Sequence, residues 1–422
     1  MGKKRLFWSL LLLTAFLQLL TGCRKANDTH KVVVCVPVYG QSLALGEEAS
    51  LLTNFDSLVS QSDGRIVTQR LDQQFGYFDN SPLKEWVKRM VRYDKRTFEL
   101  SVYSMAAVLT QRLGSDTLIC IFPGGRGATA YQGICKGTTP YQQLIDDIKE
   151  AYESAQRKGW EFIVPAVCWM HGESDMVDHT GIDYKAALRQ FAENINEDVR
   201  KMTKQSQPIR IVCYQTNQLT FVKNIDLNAF DCPEIRIPEA QRELVRDDTL
   251  FWASTPVYPF FFAHEGIHLN AVGQQQVGCR AALSVVDILH GNKRRQGLMP
   301  CSFEVEDQDV VVRFSQTQGA LLWDTVSVSV VHCYGFSVIS PEGTDIADSA
   351  VIEDNAVRIV CRQSPVGCRV RYAVNGEPLK TGPKVGPRGN LRDSQGDMEK
   401  VTIASNVYRL DNWCYQFDVP LE

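Results

Sequence analysis

An unbroken apolar run, VVVCVPV from Val32 to Val38, leads straight into Tyr39-Gly40-Gln41-Ser42. A run without polar alternation reads as a strand buried on both faces, and such strands belong to parallel sheets covered by helices. Gly40 then allows the chain to turn sharply. In open α/β sheets, ligands sit outside the carboxyl ends of the strands. Ser42 is therefore placed where a nucleophile is useful.

The following sequence keeps that architecture. Helical spacing over Phe98–Leu113 precedes an apolar strand at Thr117–Phe122. Amphipathic helices are predicted over Pro140–Lys158 and Tyr184–Met202, and a further helix over Pro238–Arg246. Strands are predicted at Phe162–Trp169, Ile209–Tyr214 and Leu250–Ser254. Asn270 caps a further helix running to about Leu289. Strands alternating with helices imply a parallel sheet with helices on both faces. The turns after the strands carry the glycine-rich and polar clusters, including Pro123-Gly124-Gly125-Arg126-Gly127 and Met170-His171-Gly172-Glu173-Ser174-Asp175. Loops at such an edge are where function concentrates.

After about Lys293 the texture changes to short, β-branched, alternating runs such as DVVVRFS and CRVRYAV. These read as a C-terminal β-sandwich. The expected organisation is therefore a catalytic-type α/β domain over 31–293 and a β-sandwich over 294–422. At 422 residues, two domains is the natural prior.

Residues 1–22 read as a lipoprotein signal peptide. Lys3, Lys4 and Arg5 precede an apolar stretch from Leu6 to Leu20. Leu20-Thr21-Gly22-Cys23 resembles a bacterial lipobox, which implies a lipid on Cys23, a polar tether over 23–30 and an exported, membrane-anchored protein of a bacterial envelope. An exported chain with 13 cysteines can form disulfides. Cys35, Cys120, Cys168 and Cys213, however, lie in apolar runs and read as core residues; Cys361 and Cys368 are near enough in sequence to test as a bridge. A net charge of -4, with no long basic run, argues against nucleic acid as a partner.

His264-Glu265-Gly266-Ile267-His268 matches H-E-x-x-H. On a helix this pattern puts two imidazoles on one face to bind zinc, with the glutamate beside the metal. Pro256, Pro259 and Gly266 oppose a helix there, and the capped helix begins only at Asn270. The same residues serve another chemistry: a carboxylate that holds His268 through one ring nitrogen while the other faces Ser42.

Four blocks, in order, resemble the SGNH-type carbohydrate acetylesterases, sialate O-acetylesterases included. They are Gly40-Gln41-Ser42, the glycine loop ending Gly127-Ala128-Thr129, Trp169-Met170-His171-Gly172-Glu173-Ser174-Asp175, and Glu265-Gly266-Ile267-His268-Leu269-Asn270. In the tail, Val370-Arg371-Tyr372-Ala373 followed by Gly389-Asn390-Leu391 is similar to the sandwich of sialate O-acetylesterase-like proteins. The resemblance implies a three-layer α/β/α, flavodoxin-like fold and cofactor-free release of acetate from an O-acetylated sugar, sialic acid first. It implies Ser42 as nucleophile, His268 as base and Glu265 as the acid, where the family has Asp. The oxyanion donors would be the Ser42 amide, the Gly127 amide (with Gly124 and Gly125 open) and His171, where the family has Gln. Glu173 or Asp175 could hold the imidazole instead of Glu265, although both read more naturally as a network beneath the loop. The competing readings are a zinc metallopeptidase using His264 and His268, and a glycan-binding lipoprotein without catalysis.

Overall fold

The computed structural model describes residues 31–68, 98–403 and 405–421. The leader and Cys23 lie outside the described residues. Among those described, no helix is long and apolar enough to cross a membrane.

Seven strands form the central sheet: β1 (Val32–Gly40), β2 (Ile66–Val67), β3 (Thr117–Gly125), β4 (Glu161–Ile163), β5 (Ala166–Met170), β6 (Arg210–Gln215) and β7 (Phe251–Pro256). Their order is β2-β3-β1-β5-β6-β7, with β4 beside β1. Every pairing is parallel. The buried apolar run is thus a central strand, as its composition demands, and its residues are buried from Val33 to Gly40. The strand predicted over Phe162–Trp169 is split: β4 and β5 both run along β1 but are separated by Val164 and Pro165. Pro165 has no N–H to give the ladder, which interrupts it there.

Helices cover both faces. Helices α2 (Ser101–Arg112) and α7 (Ala271–His290) pack together on one face. Helices α3 (Thr139–Arg157), α5 (Tyr184–Thr203) and α6 (Arg236–Asp247) form the other. Their starts follow from the sequence: Thr138, Asp183 and Asn270 each accept an N–H of the first turn. Two short helices remain to be placed, α1 (Phe55–Gln61) beyond the first turn and α4 (Glu173–Val177) after β5.

Three strand ends converge where β1, β3 and β5 stop. Gly40 pairs with both Gly125 and Met170. A Cβ on Gly40 would lie 1.9 Å from the Met170 carbonyl oxygen, and one on Gly125 would lie 1.8 Å from the Gly40 oxygen. The backbones can approach this closely only with glycine at both positions. Between β1 and β5 the strand order reverses direction, the switch point at which open sheets form crevices.

The C-terminal region is antiparallel. A four-stranded sheet joins Met299–Glu306, Asp309–Ser315, Ala356–Cys361 and Ala347–Glu353, and a three-stranded sheet joins Phe336–Ile339, Arg369–Tyr372 and Phe417–Pro420. Phe314, Phe336, Val357, Ile359, Tyr372 and Phe417 fill the core of this sandwich. The hairpin Lys400–Ile403/Asn406–Arg409 instead returns to the α/β layer. Its Val401, Ile403 and Tyr408 join the α/β core, and Thr402 accepts a bond from Gln111 of α2 at 3.0 Å. Cys361 and Cys368, both buried, are separate thiols.

Candidate active site

The turn after β1 runs from Gln41 to Glu48. It closes on itself through Ala44 N–H to Gln41 O, and through Leu45 and Glu47 N–H to Ser42 O. Gly46 lies at φ +68°, and a Cβ there would sit 2.2 Å from the Glu99 carbonyl oxygen. Glycine is the residue that tolerates both conditions. The turn is held from outside as well. Gln274, in the first turn of α7, donates to Leu43 O at 2.8 Å. The buried Glu99 carboxylate accepts Leu52 N–H at 2.8 Å, Thr53 N–H at 2.7 Å and Gln275 at 3.0 Å.

This architecture brings Ser42 and His268 together. His268 Nε2 is 2.8 Å from Ser42 Oγ, a distance at which imidazole can accept the hydroxyl proton. His268 Nδ1 is 2.9 Å from Glu48 Oε2. The carboxylate oxygen can only accept, so Nδ1 carries a proton and Nε2 presents its lone pair to the serine.

Glu265 does not reach His268. Its carboxylate pairs with Lys380 at 2.9 Å. The reason is backbone geometry. His264 and Glu265 adopt left-handed conformations, at φ 54° and 55°, which cost about 1–3 kcal/mol each for residues with a Cβ. The segment is a single tight turn closed by Gly266 N–H to Ala263 O at 2.9 Å, with non-helical backbone inside it, and not an α-helix. Three residues therefore do not bring Glu265 back over the imidazole, and Glu48 fills the position from across the cleft. The same conformation removes the basis of the zinc reading. His264 and His268 do not share a helix face, His264 is exposed, and both ring nitrogens of His268 are engaged.

Gly127 lies against the nucleophile. A Cβ there would be 3.7 Å from Ser42 Cβ and 3.3 Å from a Glu47 carboxylate oxygen. Among the described residues, neither the Ser42 nor the Gly127 amide N–H donates to another group of the chain. Gly124 and Gly125 belong to β3 itself. Two free amides beside a serine hydroxyl can receive a developing oxyanion.

His171 is not at the serine but behind the glycine loop. It is fully buried, with Nε2 2.9 Å from Thr129 O and Nδ1 3.0 Å from Tyr184 Oη. Burial lowers its pKa below the ordinary 6.5, so the ring is neutral near pH 7. A neutral imidazole has one N–H. The Thr129 carbonyl can only accept, so it takes that proton, and none remains for an oxyanion. His171 fixes the Gly127–Thr129 loop from beneath. Asp175 works on the same loop, accepting Tyr131 N–H at 2.7 Å and Thr180 Oγ1 at 2.8 Å. Glu173 is buried and accepts the Tyr214 hydroxyl; burial raises its pKa. Gln41 ties the two loops together by accepting Ser174 N–H at 3.3 Å.

His171 has a pH signature. Its pKa is depressed in the folded state, so the unfolded chain takes up the proton first as pH falls. Its contribution to stability is full above about pH 6.5 and is lost progressively below it. His171→Gln removes this titration yet can still donate to Thr129 O. The drop in melting temperature between pH 7.5 and pH 5 is expected to shrink in this variant, with activity largely retained, while His171→Ala loses both the loop contact and most activity. An unchanged drop in the Gln variant would contradict a neutral buried ring.

A hollow of about 810 Å³ at the opposite end of the sheet is lined by Val32, Thr117, Trp160 and Gln205 among others. Among the described residues that line it, no nucleophile is paired with a base.

The family model described as carbohydrate esterase, sialic acid-specific acetylesterase matches residues 39–287. No curated protein matches the chain in sequence. Among solved structures, a carbohydrate acetylesterase from Xanthomonas citri superposes with a TM-score of 0.60 at 14% identity, covering 92% of this chain and 80% of its own. A protein from Arabidopsis thaliana matches with a TM-score of 0.44 at 16% identity, covering 61% of this chain and 98% of its own. NanS matches with a TM-score of 0.42 at 13% identity, covering 62% of this chain and 99% of its own. The first of these shares the fold over both the α/β and the antiparallel regions.

Proposed function

Because the chain belongs to the carbohydrate esterase family of sialic acid-specific acetylesterases, and is therefore a carboxylic ester hydrolase, we propose that it removes O-acetyl groups from sialic acids with Ser42, His268 and Glu48 as nucleophile, base and orienting acid. The observation that carries this reading is the 2.8 Å contact between Ser42 Oγ and His268 Nε2 at the switch point of the sheet.

Ser42 Oγ attacks the acetyl carbonyl carbon while His268 Nε2 takes the hydroxyl proton. The carbonyl oxygen becomes an oxyanion and is received by the Ser42 and Gly127 amides. Glu48 stabilises the imidazolium that forms. The tetrahedral species collapses as His268 returns the proton to the departing sugar oxygen, leaving acetyl-Ser42. Water then repeats the sequence, with His268 as base, and acetate leaves with Ser42 regenerated.

The test is acetate release from O-acetylated sialic acids, acetylated neutral sugars and an aryl acetate, together with labelling by a fluorophosphonate. Release from the sialic acids is expected, with the label on Ser42. Acetate from neutral sugars alone would overturn the sialic acid assignment, and a label elsewhere would overturn the nucleophile.

The proposal includes the site of action: a lipid on Cys23 tethers the enzyme in a bacterial envelope. The support is the leader sequence ending in Leu20-Thr21-Gly22-Cys23. Cys23→Ala is expected to move the protein out of the membrane fraction or to block its maturation; unchanged fractionation and processing would refute the tether.

A further inference from the structure

His268 sits at the end of a strained turn, so what holds that turn decides where the imidazole points. Four consecutive carbonyls, those of Glu265, Gly266, Ile267 and His268, are each engaged. His268 O accepts Ala263 N–H at 2.8 Å, within the loop. Ile267 O accepts the Gln218 side-chain amide. The other two go to one residue of the C-terminal region: Glu265 O accepts Thr381 N–H at 3.1 Å, and Gly266 O accepts the Thr381 hydroxyl. Beside it, Lys380 holds the Glu265 side chain.

Thr381 is buried and itself well anchored. Lys380 O accepts the Thr220 hydroxyl at 2.6 Å, and Leu379 N–H donates to Thr220 O at 3.1 Å. Thr220 is two residues from Gln218, which holds Ile267. The loop after β6 and the strap around Thr381 thus form one frame around the turn that carries His268.

We propose that the Lys380-Thr381 pair is a positioning device for His268, making the antiparallel C-terminal region part of the acyl-transfer machinery. Left-handed residues persist only where their surroundings over-determine them. Thr381 supplies that determination at the two carbonyls nearest the strain. Lys380 also draws the Glu265 carboxylate aside, leaving Nδ1 of His268 to Glu48. This inference rests on the nucleophile–base reading of Ser42 and His268.

Thr381→Val keeps the shape but removes the hydroxyl from Gly266 O. Misplacement of a reacting group by about 1 Å costs on the order of a hundredfold, so a partial release of the turn is expected to lower kcat about thirtyfold with KM within about twofold. Thr381→Ser, which restores the hydroxyl, is expected to recover kcat to within about threefold of wild type, and Lys380→Met to lower it about fivefold. Rates are taken on an aryl acetate, per site titrated with a fluorophosphonate, so that a loss of folded protein does not register as a loss of kcat. Wild-type kcat per site in Thr381→Val, or a loss carried by KM alone, would overturn the proposal. Should Thr381→Val fail to fold, as judged by circular dichroism, Lys380→Met decides: an unchanged kcat overturns the proposal and a fivefold fall supports it. Ser42→Ala separates the two readings. If it is active, the nucleophile assignment fails; if it is inactive while Thr381→Val is fully active, only the positioning role fails.

Discussion

His268→Ala is expected to lower kcat on an aryl acetate by about 10⁴- to 10⁶-fold, and Ser42→Ala by a similar factor, in line with serine hydrolases in which either group is removed. At about 1.4 kcal/mol per factor of ten, this is roughly 5.5–8 kcal/mol of transition-state stabilisation. The two losses are not expected to add. Without the base nothing takes the serine proton, and without the serine the base has no proton to take, so the double variant should be no worse than either single one. His264 tests the geometry from the other side. It is exposed and left-handed, and asparagine tolerates that conformation well. His264→Asn is therefore expected to stay within about threefold of wild type, the scale of ordinary surface substitutions. A zinc site at H-E-x-x-H demands the opposite: equal collapse of both histidine variants, loss of activity with a chelator and an active Ser42→Ala. Kinetics of the three variants, with and without chelator, distinguish the two outcomes.

What the sequence makes legible is what local chemistry decides. An apolar run with no alternation has to be a central strand, and Asn270 announces a helix start because its side chain satisfies a first-turn amide. The approach of His268 to Ser42 follows from motif blocks placed on those elements. The misses share a cause. Glu48, Thr381 and Gln274 act across sequence gaps of 220, 115 and 231 residues, and nothing local distinguishes Glu48 from its neighbour Glu47. The one available clue is steric: the left-handed Gly46 presses against Glu99 and folds the turn back toward the nucleophile. His171 was legible as a motif position but not as a contact. Its single N–H is decided by Thr129 O, which a sequence-level analogy to glutamine cannot reveal. The split of the third long strand was readable, since Pro165 sits inside it. That the hairpin at 400–409 returns to the α/β layer was not, because alternation gives a strand's faces but not its partner.

The acid of the proposed triad is where geometry and motif diverge most, and it carries the second large prediction. Glu48→Gln is expected to lower kcat about ten- to a hundredfold, less than the roughly ten-thousandfold cost of the same change at a buried triad aspartate. The difference lies in exposure. The Glu48 side chain is 53% exposed, so water screens its attraction to the imidazolium, and an exposed amide can turn its oxygen toward Nδ1 and still support the productive tautomer. Glu265→Gln is expected to cost at most about fivefold, because its pair with Lys380 is also half-exposed, at 45% and 40%, and such pairs contribute at most about 1 kcal/mol. The bonds that the Thr381 amide and hydroxyl donate to the carbonyls of the turn remain in that variant and continue to hold it. Steady-state kinetics on an aryl acetate at pH 7.5 measure both. A collapse in Glu265→Gln with Glu48→Gln untouched would mean that Glu265 leaves Lys380 and takes Nδ1 when substrate binds, restoring the family's three-residue spacing. The left-handed backbone at His264 and Glu265 opposes that exchange, since the whole turn would have to reverse while Thr381 releases two carbonyls.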